Sequence, residues 1–177
     1  MTSAPVVSAI IIKVPEVEHI VGRHRRALDP SAEWGVPAHV TLLYPFLHPS
    51  AIDANALKRL TEVVARHREF DVQFRQTKWF GEEVLWLSPE PDLQFRRLTR
   101  DLVATFPETS PYGGAILDPT PHLTVADGAN LREMRAVEST LSKHLPVSAS
   151  FGSVSLMVGA YKPESWITIA EIPLSTQ

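Results

Sequence analysis

The stretch Pro37-Ala38-His39-Val40-Thr41-Leu42 has a close counterpart eighty-three positions later, in Thr120-Pro121-His122-Leu123-Thr124-Val125. Each stretch leaves a proline-containing loop and continues as a histidine, an apolar residue, a threonine and a second apolar residue. Side chains alternate between the two faces of a strand, so this spacing predicts two strands that each bury one face and present an imidazole and a hydroxyl on the other. The same alternation predicts that Leu43 shares the open face of the first strand and that Tyr44 points into the core.

The spacing alone is a weak signal, because a chain with seven histidines is expected to contain one His-x-Ser/Thr by chance, and His48-Pro49-Ser50 is such a case. Two such motifs in alternating strands that follow similar loops point to a shared role. The alternative is that each histidine is a half-buried sheet residue bonded to a neighbouring carbonyl. For either motif taken singly, that alternative is the better interpretation.

Around the two motifs, the sequence predicts a mixed α+β fold. Strands are predicted at Val6–Val14, His39–Tyr44, Asp71–Trp79, Val84–Leu87, His122–Ala126, Val147–Ala160 and Trp166–Leu174. Helices are predicted, from apolar residues at helical spacing, at Ser50–His67 with Ser50 as the N-cap, Leu93–Phe106 and Asn130–His144. A further helix, carrying a basic cluster, is predicted at Glu18–Leu28. The second half of this order echoes the first, so we expect residues 1–177 to form a single bilobed domain.

Composition limits the classes of partner. The 177 residues are 44% hydrophobic and 21% charged, as in ordinary globular proteins. A net charge of −3 argues against tight binding to a long nucleic acid, but a small nucleotide or a short RNA end is compatible with it. The absence of cysteine excludes disulfides and thiolate chemistry. With neither a signal-peptide pattern nor a long apolar run, we expect a cytoplasmic monomer that makes no membrane contact.

The chemistry that suits this motif pair is acid–base catalysis on a phosphodiester. Histidine has an unperturbed pKa near 6.5 and can remove or donate a proton at neutral pH. Threonine hydroxyls can donate to the phosphoryl oxygens that carry charge in the transition state. Asp118 and Asp127 are isolated carboxylates, so no metal site and no cofactor are predicted. We therefore predict metal-free chemistry, with His39 and His122 as catalytic residues and Thr41 and Thr124 as phosphate-binding residues.

At these residues the chain resembles the two-histidine (2H) phosphoesterase superfamily, in its 2′-5′ RNA ligase-like or cyclic phosphodiesterase-like branch. The resemblance rests on HVTLLYPF at His39–Phe46, FPETSPYGG at Phe106–Gly114 and PHLTVA at Pro121–Ala126. It implies two pseudo-symmetric lobes of mostly antiparallel sheet, with outer helices and a central cleft in which the two histidines face each other. It further implies action on nucleotide or RNA-terminal 2′,3′-cyclic phosphates, ADP-ribose cyclic phosphate or 2′-5′ linkages. Hydrolysis and ligation stay open, as do the acid and base roles.

Residues outside the two motifs give weaker indications of function. Tyr112 and Phe46 are candidates for stacking a nucleobase in the cleft, because they neighbour the motifs. Lys78 and Lys162 are interpreted as exposed lysines, and the run Arg23–Arg26 as a solvated helix face. Two rival functions stay open: a non-catalytic nucleotide or RNA-end binding module with the same cleft, and a structural protein whose histidines only fill the sheets.

Overall fold

The computed structural model describes residues 4–114 and 118–176, except for the side chain of Tyr112. In those ranges the strands are β1 Val7–Lys13, β2 His39–Leu43, β3 Phe70–Phe80, β4 Val84–Glu90, β5 Leu123–Asp127, β6 Val147–Phe151, β7 Ser153–Gly159 and β8 Ile167–Pro173. The α-helices are α1 Glu18–Leu28, α2 Pro30–Glu33, α3 Ala54–Val64, α4 Leu93–Thr105 and α5 Leu131–Leu141. Within the same ranges, no helix combines the length and the apolarity that crossing a membrane requires.

The strands form two antiparallel four-stranded sheets, in the orders β2-β1-β7-β8 and β5-β4-β3-β6. The strand that carries a His-x-Thr motif is the edge strand of its sheet in both cases, and these two edge strands, β2 and β5, contact each other. The prediction of a bilobed α+β fold with similar lobes is therefore confirmed. The arrangement brings the two motifs, which are far apart in sequence, to one junction.

The hydrophobic core fixes which face of each motif strand remains open. Val40 of β2 and Leu123 of β5 belong to one large buried cluster that also contains the inner faces of the long helices. α4, for example, buries Phe95, Leu98 and Leu102 completely. Burying a side chain of this size stabilises the fold by about 1.5–3 kcal/mol. The alternate face of each motif strand therefore points away from the helices.

Two predicted boundaries are wrong. The stretch 147–160 forms two strands rather than one, because the chain leaves one sheet at Gly152 and enters the other: β6 pairs with β3, whereas β7 pairs with β1. The N-cap of α3 is Asp53, whose carboxylate accepts a hydrogen bond of 2.8 Å from the amide of Ala56. Ser50 instead lies in the short 3₁₀ turn Pro49–Ala51.

A β-bulge follows the threonine of β2. The neighbouring strand pairs Ile10 with Leu43 and its next residue with Thr41, so Leu42 is an extra residue. A bulge of this kind reverses the alternation of side chains. Leu42 and Leu43 are accordingly both buried in the core, and Tyr44 lines the cleft. The predicted orientations of Leu43 and Tyr44 are therefore wrong.

β5 carries a bulge at the equivalent place. β4 pairs Leu85 with Ala126 and its next residue with Thr124, which leaves Val125 as the extra residue. Val125 and Ala126 are both fully buried. Asp127, the third residue after the threonine, turns into the cleft. The two lobes thus share the edge-strand motif and also the irregularity that follows it.

Candidate active site

A cavity of about 430 Å³ lies between the two lobes. The side chains of His39, Thr41, His122 and Thr124 all line it. Its base consists of apolar residues of the first sheet, among them Ile11. The structure therefore brings the four motif residues together in one concave site.

Each imidazole is held by the same local hydrogen bond. His39 Nδ1 donates to the carbonyl of Pro37 at 2.8 Å, and His122 Nδ1 donates to the carbonyl of Thr120 at 2.7 Å. Because a carbonyl oxygen only accepts, each Nδ1 must carry the proton. Each neutral ring therefore keeps the lone pair on Nε2, the nitrogen that remains for a ligand in the cavity.

The environment favours the neutral form of both rings. Burial lowers the pKa of His39 to about 4, helped by the Arg25 guanidinium and, to a smaller extent, by His122, while Asp29 opposes the shift. Burial also lowers the pKa of His122, against the opposing effects of the Thr120 carbonyl and the Asp127 carboxylate. The two rings belong to strands that contact each other and line the same cavity, so the charge of one disfavours the protonated form of the other.

The two threonine hydroxyls are available to a ligand. Thr41 and Thr124 are half-buried and line the cavity beside the histidines. Within residues 4–114 and 118–176, neither hydroxyl has a hydrogen-bond partner in the protein. A small anion between the lobes could therefore accept a hydrogen bond from each hydroxyl.

The loop that leads into β2 is held by a buried ion pair. Arg25 Nη2 lies 2.8 Å from Asp29 Oδ2, and both side chains are almost fully buried, at 2% and 4% exposure. The same guanidinium donates to the carbonyl of Val36 at 3.2 Å and to the hydroxyl of Ser31 at 3.0 Å. The sequence predicted that Arg25 belongs to a solvated helix face, and for this residue the prediction is wrong. Arg25 fixes the segment from which His39 emerges.

Aromatic side chains form one wall of the cavity. The hydroxyls of Tyr44 and Tyr161 are 2.6 Å apart, and the Trp34 ring packs edge-on against Tyr161 with centroids 5.1 Å apart. Trp166 lies directly over Gly159, where a Cβ atom would be 2.4 Å from the indole ring. Only glycine leaves room for the ring at that position.

The matched family model adds an independent finding. The model of the 2′-5′ RNA ligase superfamily matches residues 14–161, which include both motifs and the strands β2 to β7. The chain belongs to this superfamily. The resemblance to the 2H phosphoesterases predicted from the motifs is thereby confirmed.

Solved structures of other proteins share the fold over nearly the whole chain. E. coli LigT complexed with 3′-AMP is 17% identical, with a TM-score of 0.59 and 99% and 100% of the two chains covered. LigT complexed with NADP+ gives 17% identity, a TM-score of 0.61 and coverages of 98% and 99%. TT0787 of Thermus thermophilus is 18% identical, with a TM-score of 0.65 and 94% and 97% of the two chains covered. No curated protein sequence matches the chain significantly.

Of the two residues predicted to stack a nucleobase, the structure places the side chain of Phe46 only. Phe46 is buried in the core, where it packs edge-on against Phe106 with centroids 4.8 Å apart, so the expectation of a place in the cleft is wrong. The side chain of Tyr112 is outside the described residues. Phe80, an aromatic residue that the sequence favours less than Tyr112 and Phe46 as a stacking residue, lines the cavity with its ring 4.9 Å from that of His122.

Carboxylates also reach the cavity, although not as a metal site. Asp29 and Asp127 both line it. Among the residues that the structure describes, no group of three or more histidine or acidic side chains could hold a metal ion. Sequence reasoning missed the place of Asp127 because the bulge that turns it inward depends on pairing with β4.

Proposed function

We propose that this member of the superfamily is a metal-independent phosphodiesterase that opens a nucleotide or RNA-terminal 2′,3′-cyclic phosphate, or acts on a related 2′-5′ linkage. The observation that carries the proposal is the convergence of His39, Thr41, His122 and Thr124 on one cavity. Both imidazoles have Nδ1 occupied by a carbonyl and Nε2 left for the substrate. Two equivalent bases of this kind suit a reaction that needs one proton removed and another supplied.

The reaction needs only these groups and water. Nε2 of one neutral histidine takes a proton from water as the water oxygen bonds to phosphorus. The bond from phosphorus to one ribose oxygen breaks, and the other histidine, protonated in the complex, gives its Nε2 proton to that oxygen. The product is a phosphomonoester with a free hydroxyl, and exchanging the two roles reverses the reaction.

The depressed pKa values fit this division of roles. Because burial lowers the pKa of both His39 and His122, the free protein at pH 7 holds neutral rings able to act as a base. An anionic diester between the rings favours the protonated form of one of them, so substrate itself supplies the acid. The hydroxyls of Thr41 and Thr124 donate to the two non-bridging oxygens.

The size and charge of the site favour a small substrate. A cavity of about 430 Å³ in a chain of net charge −3 suits one nucleotide or a short RNA end better than a long polyanion. Since both halves of the chain contribute to this cavity, we propose that residues 1–177 work as one unit. We place its activity in the cytoplasm, as a monomer.

Hydrolysis assays in EDTA test the proposal. Adenosine 2′,3′-cyclic phosphate, ADP-ribose cyclic phosphate and a 2′-5′-linked dinucleotide are incubated with the protein, and products are separated by chromatography. We expect a phosphomonoester from at least one of them at a rate that EDTA leaves unchanged. Absence of product from all three, or product only when a divalent cation is added, would contradict the proposal.

Replacing either threonine should slow turnover. Thr41→Val and Thr124→Val keep the shape of the side chain and remove one donor to the phosphoryl oxygens. We expect kcat to fall by up to roughly 10²–10³-fold, with a smaller change in KM. The matched controls are Thr41→Ser and Thr124→Ser, which keep the hydroxyl and should retain most of the activity. Valine variants as active as the serine variants would exclude the hydroxyls from the chemistry.

A further inference from the structure

The two lobes differ at one pair of equivalent cleft positions. The bulge after each motif threonine turns the third following residue into the cavity, and this residue is Tyr44 in one lobe and Asp127 in the other. Burial and the hydrogen bond to Tyr161 raise the pKa of the Tyr44 hydroxyl further above its ordinary value, so that position is neutral at pH 7. The Asp127 carboxylate has neither a hydrogen-bond nor an ion-pair partner within the described part of the chain.

The charges that line the cavity are negative. Asp29 contributes a second carboxylate, partly compensated by the buried Arg25, whose guanidinium is directed at Asp29 itself. Among the described residues, no lysine or arginine lines the cavity. The amine of Lys78 lies over the Trp86 ring, 5.8 Å from its centroid, and outside the lining.

The negative character continues beyond the reaction site. A second cavity of about 240 Å³ shares Asp29 and Asp127 with the first, and its other charged lining residues are Arg26 and Glu33. Three carboxylates thus face one guanidinium there. Burial raises the pKa of Asp127, and the nearby carboxylates of Asp29 and Glu83 raise it further, as expected for a crowded negative region.

We infer that Asp127 makes the cleft select a substrate whose only negative charge is the reacting diester, and disfavour the same substrate with a second phosphate. The inference rests on the proposed function and narrows its substrate, because it favours a nucleoside 2′,3′-cyclic phosphate over an RNA end or ADP-ribose cyclic phosphate, which carry further phosphates. Repulsion between two unit charges within a Debye length corresponds to a preference of roughly 3- to 30-fold, depending on the effective dielectric and the salt concentration.

The test compares adenosine 2′,3′-cyclic phosphate with its 5′-phosphorylated form, at pH 8 and low salt. We expect wild type to show the higher kcat/KM for the substrate without the 5′-phosphate. Asp127→Asn should reduce that preference roughly 3- to 30-fold, mainly by improving the use of the phosphorylated substrate. The control is Asp71→Asn, which removes the same charge from an exposed position on β3, outside this cavity.

A binding measurement separates this inference from the proposed function. Titration calorimetry with adenosine 2′-monophosphate and adenosine 2′,5′-bisphosphate gives the same comparison without turnover. If the protein proves inactive but wild type still prefers the monophosphate and Asp127→Asn loses the preference, the proposed function fails and the inference stands. The inference would be overturned if wild type bound both ligands with equal affinity, or bound neither. It would also be overturned if Asp127→Asn left the ratio of the two affinities unchanged, or if Asp71→Asn changed that ratio equally.

Discussion

His39→Ala and His122→Ala should each lower kcat on a nucleoside 2′,3′-cyclic phosphate by roughly 10²–10⁴-fold, with a smaller effect on KM. Each substitution removes one of the two groups that move protons, but leaves the phosphate-binding hydroxyls in place. The double variant should be little slower than the slower single variant, because two residues that act as a unit are not additive. Steady-state kinetics of the four proteins in EDTA measure these effects.

The matched controls are two of the other histidines. His19 and His144 are exposed and lie outside the cavity, so alanine at either position should leave kcat and KM close to wild type. Unchanged rates in both His39→Ala and His122→Ala would show that the imidazoles take no part in the chemistry. A loss in only one of them would replace the paired mechanism with a single acid or base.

Arg25→Ala should destabilise the protein by about 3–5 kcal/mol, because it leaves the Asp29 carboxylate buried without its partner. The substitution also removes the hydrogen bond to the Val36 carbonyl, which holds the loop before His39. Chemical denaturation followed by tryptophan fluorescence measures the free energy of unfolding. Arg23→Ala is the matched control: Arg23 is exposed on the same helix, and its change should stay within about 0.5 kcal/mol.

The double variant Arg25→Ala/Asp29→Ala shows whether the unpaired carboxylate causes the loss of stability in Arg25→Ala. We expect it to be more stable than Arg25→Ala alone, because the buried charge has gone as well. A loss below about 1 kcal/mol in Arg25→Ala would show that water reaches the pair and that the interpretation of Arg25 as a buried support is wrong.

Much of the fold is visible in the sequence because local periodicity determines it. α4 begins at the predicted Leu93 and ends one residue before the predicted Phe106, since apolar residues recur there at helical spacing. The meeting of β2 and β5 at one junction follows only from the two similar motifs together with the family resemblance. No local pattern reports that two edge strands from different sheets contact each other.

The features that local patterns do not reveal are long-range. The bulges that turn Tyr44 and Asp127 into the cleft arise from pairing with neighbouring strands. Burial of Arg25 depends on the segment through Val36 that covers it, although the spacing of four residues to Asp29 is visible in the sequence. Phe46 follows a motif strand closely, but its environment is set by Phe106, sixty positions away.

The central claim, that two imidazoles meet one phosphate through Nε2, is tested most directly by ¹⁵N NMR of histidine-labelled protein at pH 7. Resonances are assigned from the His39→Ala and His122→Ala variants, and spectra are recorded with and without adenosine 2′-monophosphate. We predict that both free rings are neutral and carry the proton on Nδ1, and that the ligand shifts Nε2 of both histidines while the exposed histidines stay unchanged. A ligand that binds yet perturbs only one of the two rings, or neither, would contradict the account.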